Sequence, residues 1–226
     1  MPVRESGTIP CTPARCLRLV RQPDINWCVP VCVQMVLGFY NKATDLQDVA
    51  CALKLLGTDC SGSAMDFPAG REQLVVDVMQ GYESRLKVEV KSPGAGVDFW
   101  TLIKDQIDTE APVILFNHGH ARVVSGYLSA QISGGVRTVR GLDFFDPLSS
   151  TSTCWESFDA CRSQYTHLFL STFTEAGPFA ALAGKIGLSR GVWSRLKWAT
   201  LTRYGSRVAA RQARRSAKER KDDGVL

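Results

Sequence analysis

The chain has 226 residues, 45% of them hydrophobic, with 27 Lys and Arg against 22 Asp and Glu, a formal net charge of +5. That is enough apolar side chain for a packed core, and it excludes a wholly disordered, purely polar chain. No apolar run approaches the roughly 20 residues of a membrane-spanning helix. The stretch Met1 to Arg18 has charges and prolines but no apolar segment, so no secretory signal is expected; export by a signal-independent route would leave no such trace.

Three segments are expected along the chain: an irregular leader over 1–17, a catalytic-sized domain over 18–176 and a basic tail over 177–226. Residues 1–176 carry 15 Lys and Arg against 19 Asp and Glu, while 177–226 carry 12 against 3, so the basic character belongs to the tail. Pro30–Tyr40 predicts a helix buried on most sides, with Pro30 near its start, where a missing N–H is tolerated. Thr44-Asp45-Leu46-Gln47 fits a capping box and Gly57 a C-terminal cap, which predicts a helix over 45–56. Residues 58–70 read as a loop. Helices are expected over 71–80 and 97–108, with a short strand Lys87–Val90 between them.

The period then changes. Pro112–Phe116, His120–Leu128, Val136–Phe145 and His167–Phe173 read as strands, with Ser133-Gly134-Gly135 as a hairpin turn. Cys154–Arg162 reads as a short helix. Helices first and an antiparallel sheet second is an α+β arrangement.

Eight cysteines are present. Without a signal segment or a CxxC pair, mostly reduced and buried thiols are expected, with Cys32, Cys51 and Cys154 filling core space. No metal and no organic cofactor is implied.

Cys28 is the exception among the thiols. It sits just before the Pro30 helix, where backbone N–H groups favour an anion, and an imidazole nearby would favour it further. Gly119-His120 opens the apolar strand running to Gly126-Tyr127, which puts the His120 ring at one end of the sheet. His118, two residues earlier, points the same way and is a rival. Asp146 ends the strand paired with that of His120 and can accept the second imidazole N–H; Asp143 is the alternative but should face the opposite side. His167 reads as structural or as a surface residue. Gln22, six residues before Cys28, can donate its amide N–H to a developing oxyanion, beside the Cys28 backbone N–H. A thiol, an imidazole, a carboxylate and an amide in this order are the parts of a thiolate acyl-transfer site.

Gln22-x5-Cys28, with Asn26-Trp27-Cys28 and Cys32, resembles the papain-like cysteine proteases of bacteria. It is similar to the avirulence-effector type, whose pattern reads NWCWAAC. With Pro30 two residues after the nucleophile, it is also similar to the bacteriocin-exporter peptidase domain, with its CGPA. The Gly-His-apolar-Gly-Tyr strand and the Asp-Pro ending fit both. The resemblance covers about residues 18–174. It implies a papain-like fold with the roles Cys28 nucleophile, His120 base and acid, Asp146 orienter and Gln22 oxyanion donor. Val29 departs from the effector type, where an aromatic is usual, and that departure bears on substrate preference.

The implied function is a cysteine endopeptidase acting on a protein or peptide substrate through a thioester, in the manner of a bacterial effector or toxin. The alternatives are an acyltransferase or deamidase using the same acyl-enzyme, and a non-catalytic binding module of the same fold. The tail, with Trp193, Trp198 and Tyr204 among arginines, reads as a solvated extension. Its sharper reading is an anchor for an acidic surface, either an anionic membrane or nucleic acid. Nothing in the sequence sets an oligomeric state.

Overall fold

The computed structural model describes residues 4–12, 15–57, 59–60, 62, 64–94, 96–117, 119–132, 137–149 and 154–173. They all belong to one unit, Met1–Glu175. The Ser133-Gly134-Gly135 turn and the basic tail lie outside the described residues.

A 3₁₀ turn, Ile25–Trp27, leads directly into α1, Cys28–Phe39. Asp24 caps the turn by accepting the Ile25 N–H at 2.6 Å. The helix therefore begins at Cys28, two residues earlier than the proline signal suggests, because the turn before it already holds the chain in helical register. Ten of the twelve α1 residues are buried, as an apolar all-round helix requires. Helix α2, Leu46–Ala52, is shorter than expected, and its cap is Asp45, not Thr44: the Asp45 carboxylate accepts from Gln47 and Asp48 N–H. It ends well before Gly57, where Lys54 takes a left-handed φ of 56°. Helices α3, Glu72–Tyr82, and α4, Phe99–Asp108, fall where the spacing puts them.

The strands are β1 Arg4–Thr8, β2 Leu86–Lys91, β3 Val113–Asn117, β4 His120–Ile132, β5 Arg137–Phe145, β6 Cys154–Ser157 and β7 Tyr165–Phe173. They form one antiparallel sheet in the order β2-β7-β3-β4-β5-β6, with β1 pairing the distal half of β4 beyond β3. Two expectations are corrected here. Part of the 1–17 leader is a sheet strand, because β4 outruns β3 and leaves an edge that Arg4–Thr8 covers. The 154–162 segment is strand β6 followed by a four-residue helix, Phe158–Cys161.

Both faces of the sheet are covered. Ile114, Ala121, Val123 and Phe169 pack with α1, α2 and α3. Val113, Leu115, Val124, Leu142 and Phe144 pack with Phe99, Trp100, Ile103 and Ile107 of α4. Successive strand residues point to opposite faces, so β3 and β4 are apolar on both sides.

The cysteines also depart from expectation. Cys11 pairs with Cys16 and Cys51 with Cys60 as disulfides, with Cα separations of 4.2 and 5.2 Å. Loops double back in both places, which the spacing of cysteines alone does not reveal. Cys28, Cys32, Cys154 and Cys161 are not in disulfides.

Strand β1 and the bulge in β4 meet closely at Gly126. A Cβ there would lie 2.9 Å from the Gly7 carbonyl oxygen and 3.0 Å from Thr8 Cγ2. Gly126→Ala should therefore destabilise the domain by about 1–3 kcal/mol, read as a lower urea midpoint. An unchanged midpoint would show that β1 is not docked there.

Candidate active site

Helix α1 delivers its first residue to the start of β4. Cys28 is in the first helical turn, where backbone N–H groups favour negative charge. His120 is the first residue of β4. Asp146 follows the last residue of β5, and Val123 faces Phe145 across the β4–β5 pair. That register brings Asp146 alongside the first turns of β4. His120 Nε2 lies 2.8 Å from Asp146 Oδ1. The Cys28 thiol hydrogen-bonds to the same imidazole, which leaves Nδ1 as the nitrogen for sulfur. The Leu148 N–H donates to Asp146 Oδ1 at 2.9 Å and fixes the carboxylate from the far side.

The electrostatics favour a charged imidazole. Burial opposes the imidazolium, but the hydrogen bonds it donates to Asp146 and Cys28 overcome it and raise His120 to about 9. Asp146 is also opposed by burial, yet the His120 hydrogen bond, the Leu148 N–H and the charges of His120 and Arg122 hold it below the usual carboxylate range. Cys32, one turn further along α1, is fully buried. Burial, then the neighbouring Cys28 and Asp146, push its thiol well up, so it stays neutral.

Gln22 is tied to this cluster through its backbone, whose N–H donates to the Pro147 carbonyl at 3.2 Å. Its side-chain amide points into its own turn. Nε2 donates to the carbonyls of Asp24 at 2.6 Å and Ile25 at 2.9 Å, and Oε1 is buried without a partner among the described residues. Of the rivals, Asp143 pairs with Gly126, away from His120, and burial raises its carboxyl. His118 lies outside the described residues. His167 on β7 lies 3.6 Å from Glu72 of α3.

Sequence reasoning missed a second layer. Arg122, two residues after His120, is 7% exposed. Its Nη1 and Nη2 donate to the two oxygens of Glu156 on β6, at 2.9 and 3.1 Å. The guanidinium stacks 4.1 Å from the centre of the Phe144 ring. Tyr165 donates to the same carboxylate at 2.7 Å. A usable signal was present: a charged residue inside an apolar strand, Ala-Arg-Val-Val, needs a buried partner. Among the described residues there is no cluster of His, Cys, Asp and Glu able to hold a metal.

Residues 17–168 match the Peptidase_C39 like family. The chain belongs to that family. Its α+β architecture is that of the papain-like cysteine peptidases, with a helix carrying the thiol packed on an antiparallel sheet. Three solved structures are similar to it. One is a double glycine motif protease from an AMS/PCAT transporter, in complex with the leader peptide (16% identity, 73% of this chain, 98% of that one, TM-score 0.45). Another is the peptidase domain of Streptococcus ComA, a bifunctional ABC transporter (16%, 70% and 99%, 0.43). The third is UfSP from C. elegans (11%, 77% and 35%, 0.48). No curated protein matches the chain. No helix among the described residues is long and apolar enough to cross a membrane.

His120 gains its proton affinity on folding, so its contribution to stability has a definite pH window. The contribution is fully present below the unfolded value near 6.5 and is lost as pH rises through about 9. Asp146→Asn removes the anionic partner. NMR titration of the His120 ring should then show a midpoint more than about one pH unit lower than in the parent protein. An equal midpoint would show that Asp146 does not sustain the imidazolium.

Proposed function

We propose that this member of the Peptidase_C39 like family is a cysteine endopeptidase that cleaves peptide or protein substrates through a Cys28 thioester. One observation carries the reading: a single imidazole, His120, contacts both the Cys28 thiol and the Asp146 carboxylate. That is the arrangement a thiolate nucleophile needs.

In the proposed cycle the thiol proton passes to His120 Nδ1, and Asp146 holds the imidazolium by Nε2. The Cys28 sulfur attacks the scissile carbonyl carbon and its oxygen becomes an oxyanion. The tetrahedral adduct collapses with cleavage of the C–N bond, and His120 gives its proton to the leaving amine. Water then enters, His120 takes one of its protons, and hydroxide attack on the thioester releases the acid and returns the thiol. The oxyanion donors are the Cys28 backbone N–H and the Gln22 amide. Gln22 can donate only after its amide turns away from the carbonyls of Asp24 and Ile25.

The test is mass spectrometry of a peptide library treated with the parent protein and with Cys28→Ala. New termini that appear only with the parent are expected. Chains that stay uncut but change mass would replace the peptidase reading with deamidation or acyl transfer. No change at all, together with Cys28 reacting with iodoacetamide no faster than a model thiol, would leave a non-catalytic module. On a peptide found this way, Gln22→Ala should lower kcat by about 10²–10³; an undiminished kcat would remove Gln22 from the oxyanion site.

A further inference from the structure

We propose that Arg122, clamped by Glu156, is a positioning residue of this site: it holds Asp146 as an anion and fixes the backbone from which His120 projects. The proposal rests on the reading of Cys28, His120 and Asp146 as the reacting groups.

Three observations converge on it. The first is place. Val123 faces Phe145 across the β4–β5 pair, so Arg122 and Asp146 are the next opposed positions at the end of the ladder. The guanidinium lies over Phe144, the residue two before Asp146. Its positive charge favours the ionised form of Asp146.

The second is the link to His120. With its amide oriented so that both ends are satisfied, Asn117 accepts from Arg122 Nη2 at 3.1 Å and donates to the His120 carbonyl at 3.3 Å. Asn117 and His120 are also paired across β3 and β4. One guanidinium thus acts on the orienting carboxylate by charge and on the imidazole's backbone through an amide.

The third is the clamp. Glu156 accepts from both terminal guanidinium nitrogens and is itself held by Tyr165. Cys161 also hydrogen-bonds to this carboxylate. A buried ion pair of this kind is often no more stabilising than an apolar pair of the same volume. Fold stability alone therefore does not account for a cation in this strand, whereas a carboxylate that must stay ionised beside it does.

The ionisable groups around the guanidinium come from five elements: Asp146 after β5, Glu156 on β6, Tyr165 on β7, Cys161 on the short helix after β6, and Cys32 on α1. Tyr165 and Cys161 are both pushed up, by burial and then by Glu156, and stay neutral. The charged groups that act on Asp146 are therefore His120 and Arg122, with Glu156 reaching it through the guanidinium it clamps.

The test is a carboxyl ¹³C NMR titration of Asp146 in the resting full-length protein, with the pH profile of Cys28 alkylation measured alongside. Arg122→Met should raise the Asp146 midpoint by about one pH unit, and the acid limb of alkylation should move the same way. Arg122→Lys, which keeps the charge, should restore most of the shift. Lys104→Met, remote from the site, should leave the midpoint in place. A folded Arg122→Met protein with an unmoved Asp146 midpoint overturns the proposal. If Arg122→Met does not fold, Glu156→Gln decides. It keeps the guanidinium and removes the competing anion, so the midpoint should fall, and a midpoint that stays put overturns the proposal. The titration needs no turnover. A parent protein without hydrolytic activity would sink the peptidase reading while the Asp146 midpoint still reported on Arg122.

Discussion

The site depends on one imidazole meeting two partners carried by elements far apart in the chain. His120 must reach a sulfur at the start of α1 and a carboxylate just past the end of β5. Neither partner is local, so the geometry exists only if α1 docks on the sheet and β4 pairs with β5 in one register. A slip of one residue would turn the β4 side chains to the opposite face. Register is pinned by burial on both faces: Ala121 and Val123 belong to the core under α1, and Val124 and Phe144 to the core under α4. The packing that stabilises the domain is thus also what brings Cys28, His120 and Asp146 together.

Burial alone would work against such a site. It disfavours the charged forms of His120 and Asp146 alike. What reverses the outcome at these two residues is hydrogen bonding to the charged form: His120 and Asp146 to each other, Leu148 N–H to the carboxylate and Cys28 to the imidazole. Cys32 is the internal control. It sits on the same helix, one turn away, with the same chemistry. Among the described residues it hydrogen-bonds to no imidazole, and burial with the nearby Cys28 and Asp146 keeps the thiol protonated. What separates Cys28 from Cys32 on this helix is that Cys28 reaches the His120 imidazole.

That contrast explains what could be read from the sequence. That Cys28, His120 and Asp146 meet was foreseeable because each lies at an element end, and element ends carry local signals such as a helix start and an Asp-Pro turn. Helices α3 and α4 and strands β3, β4 and β5 were legible from periodicity. Strand β1 was not, since Arg-Glu-Ser-Gly-Thr has no apolar alternation; it is a strand only because the long β4 offers an unpaired edge. Cys154–Ser157 failed for the same reason, being an edge strand on β5. The disulfides depend on loop paths, and the Arg122–Glu156 clamp on a pairing between residues 34 apart in sequence. Non-local contacts decided the two strands and the clamp, and a window along the chain does not contain them; the disulfides join residues only 5 and 9 apart and were missed because reduced thiols were expected.

Gln22 shows how the proposed oxyanion site would be compatible with a stable resting state. Its backbone is tied to Pro147, beside the orienting carboxylate, while its amide nitrogen already donates to two carbonyls of its own turn. Those acceptors are neutral, and a neutral hydrogen bond contributes about 0.5–1.5 kcal/mol net, against about 1.5–3 kcal/mol for one to a charged group. A neutral substrate carbonyl therefore has little advantage over the Asp24 and Ile25 carbonyls, whereas an oxyanion does. A donor held this way would turn toward the substrate only as negative charge develops. Its binding energy would then fall on the transition state and not on the ground state, which is where it lowers the barrier.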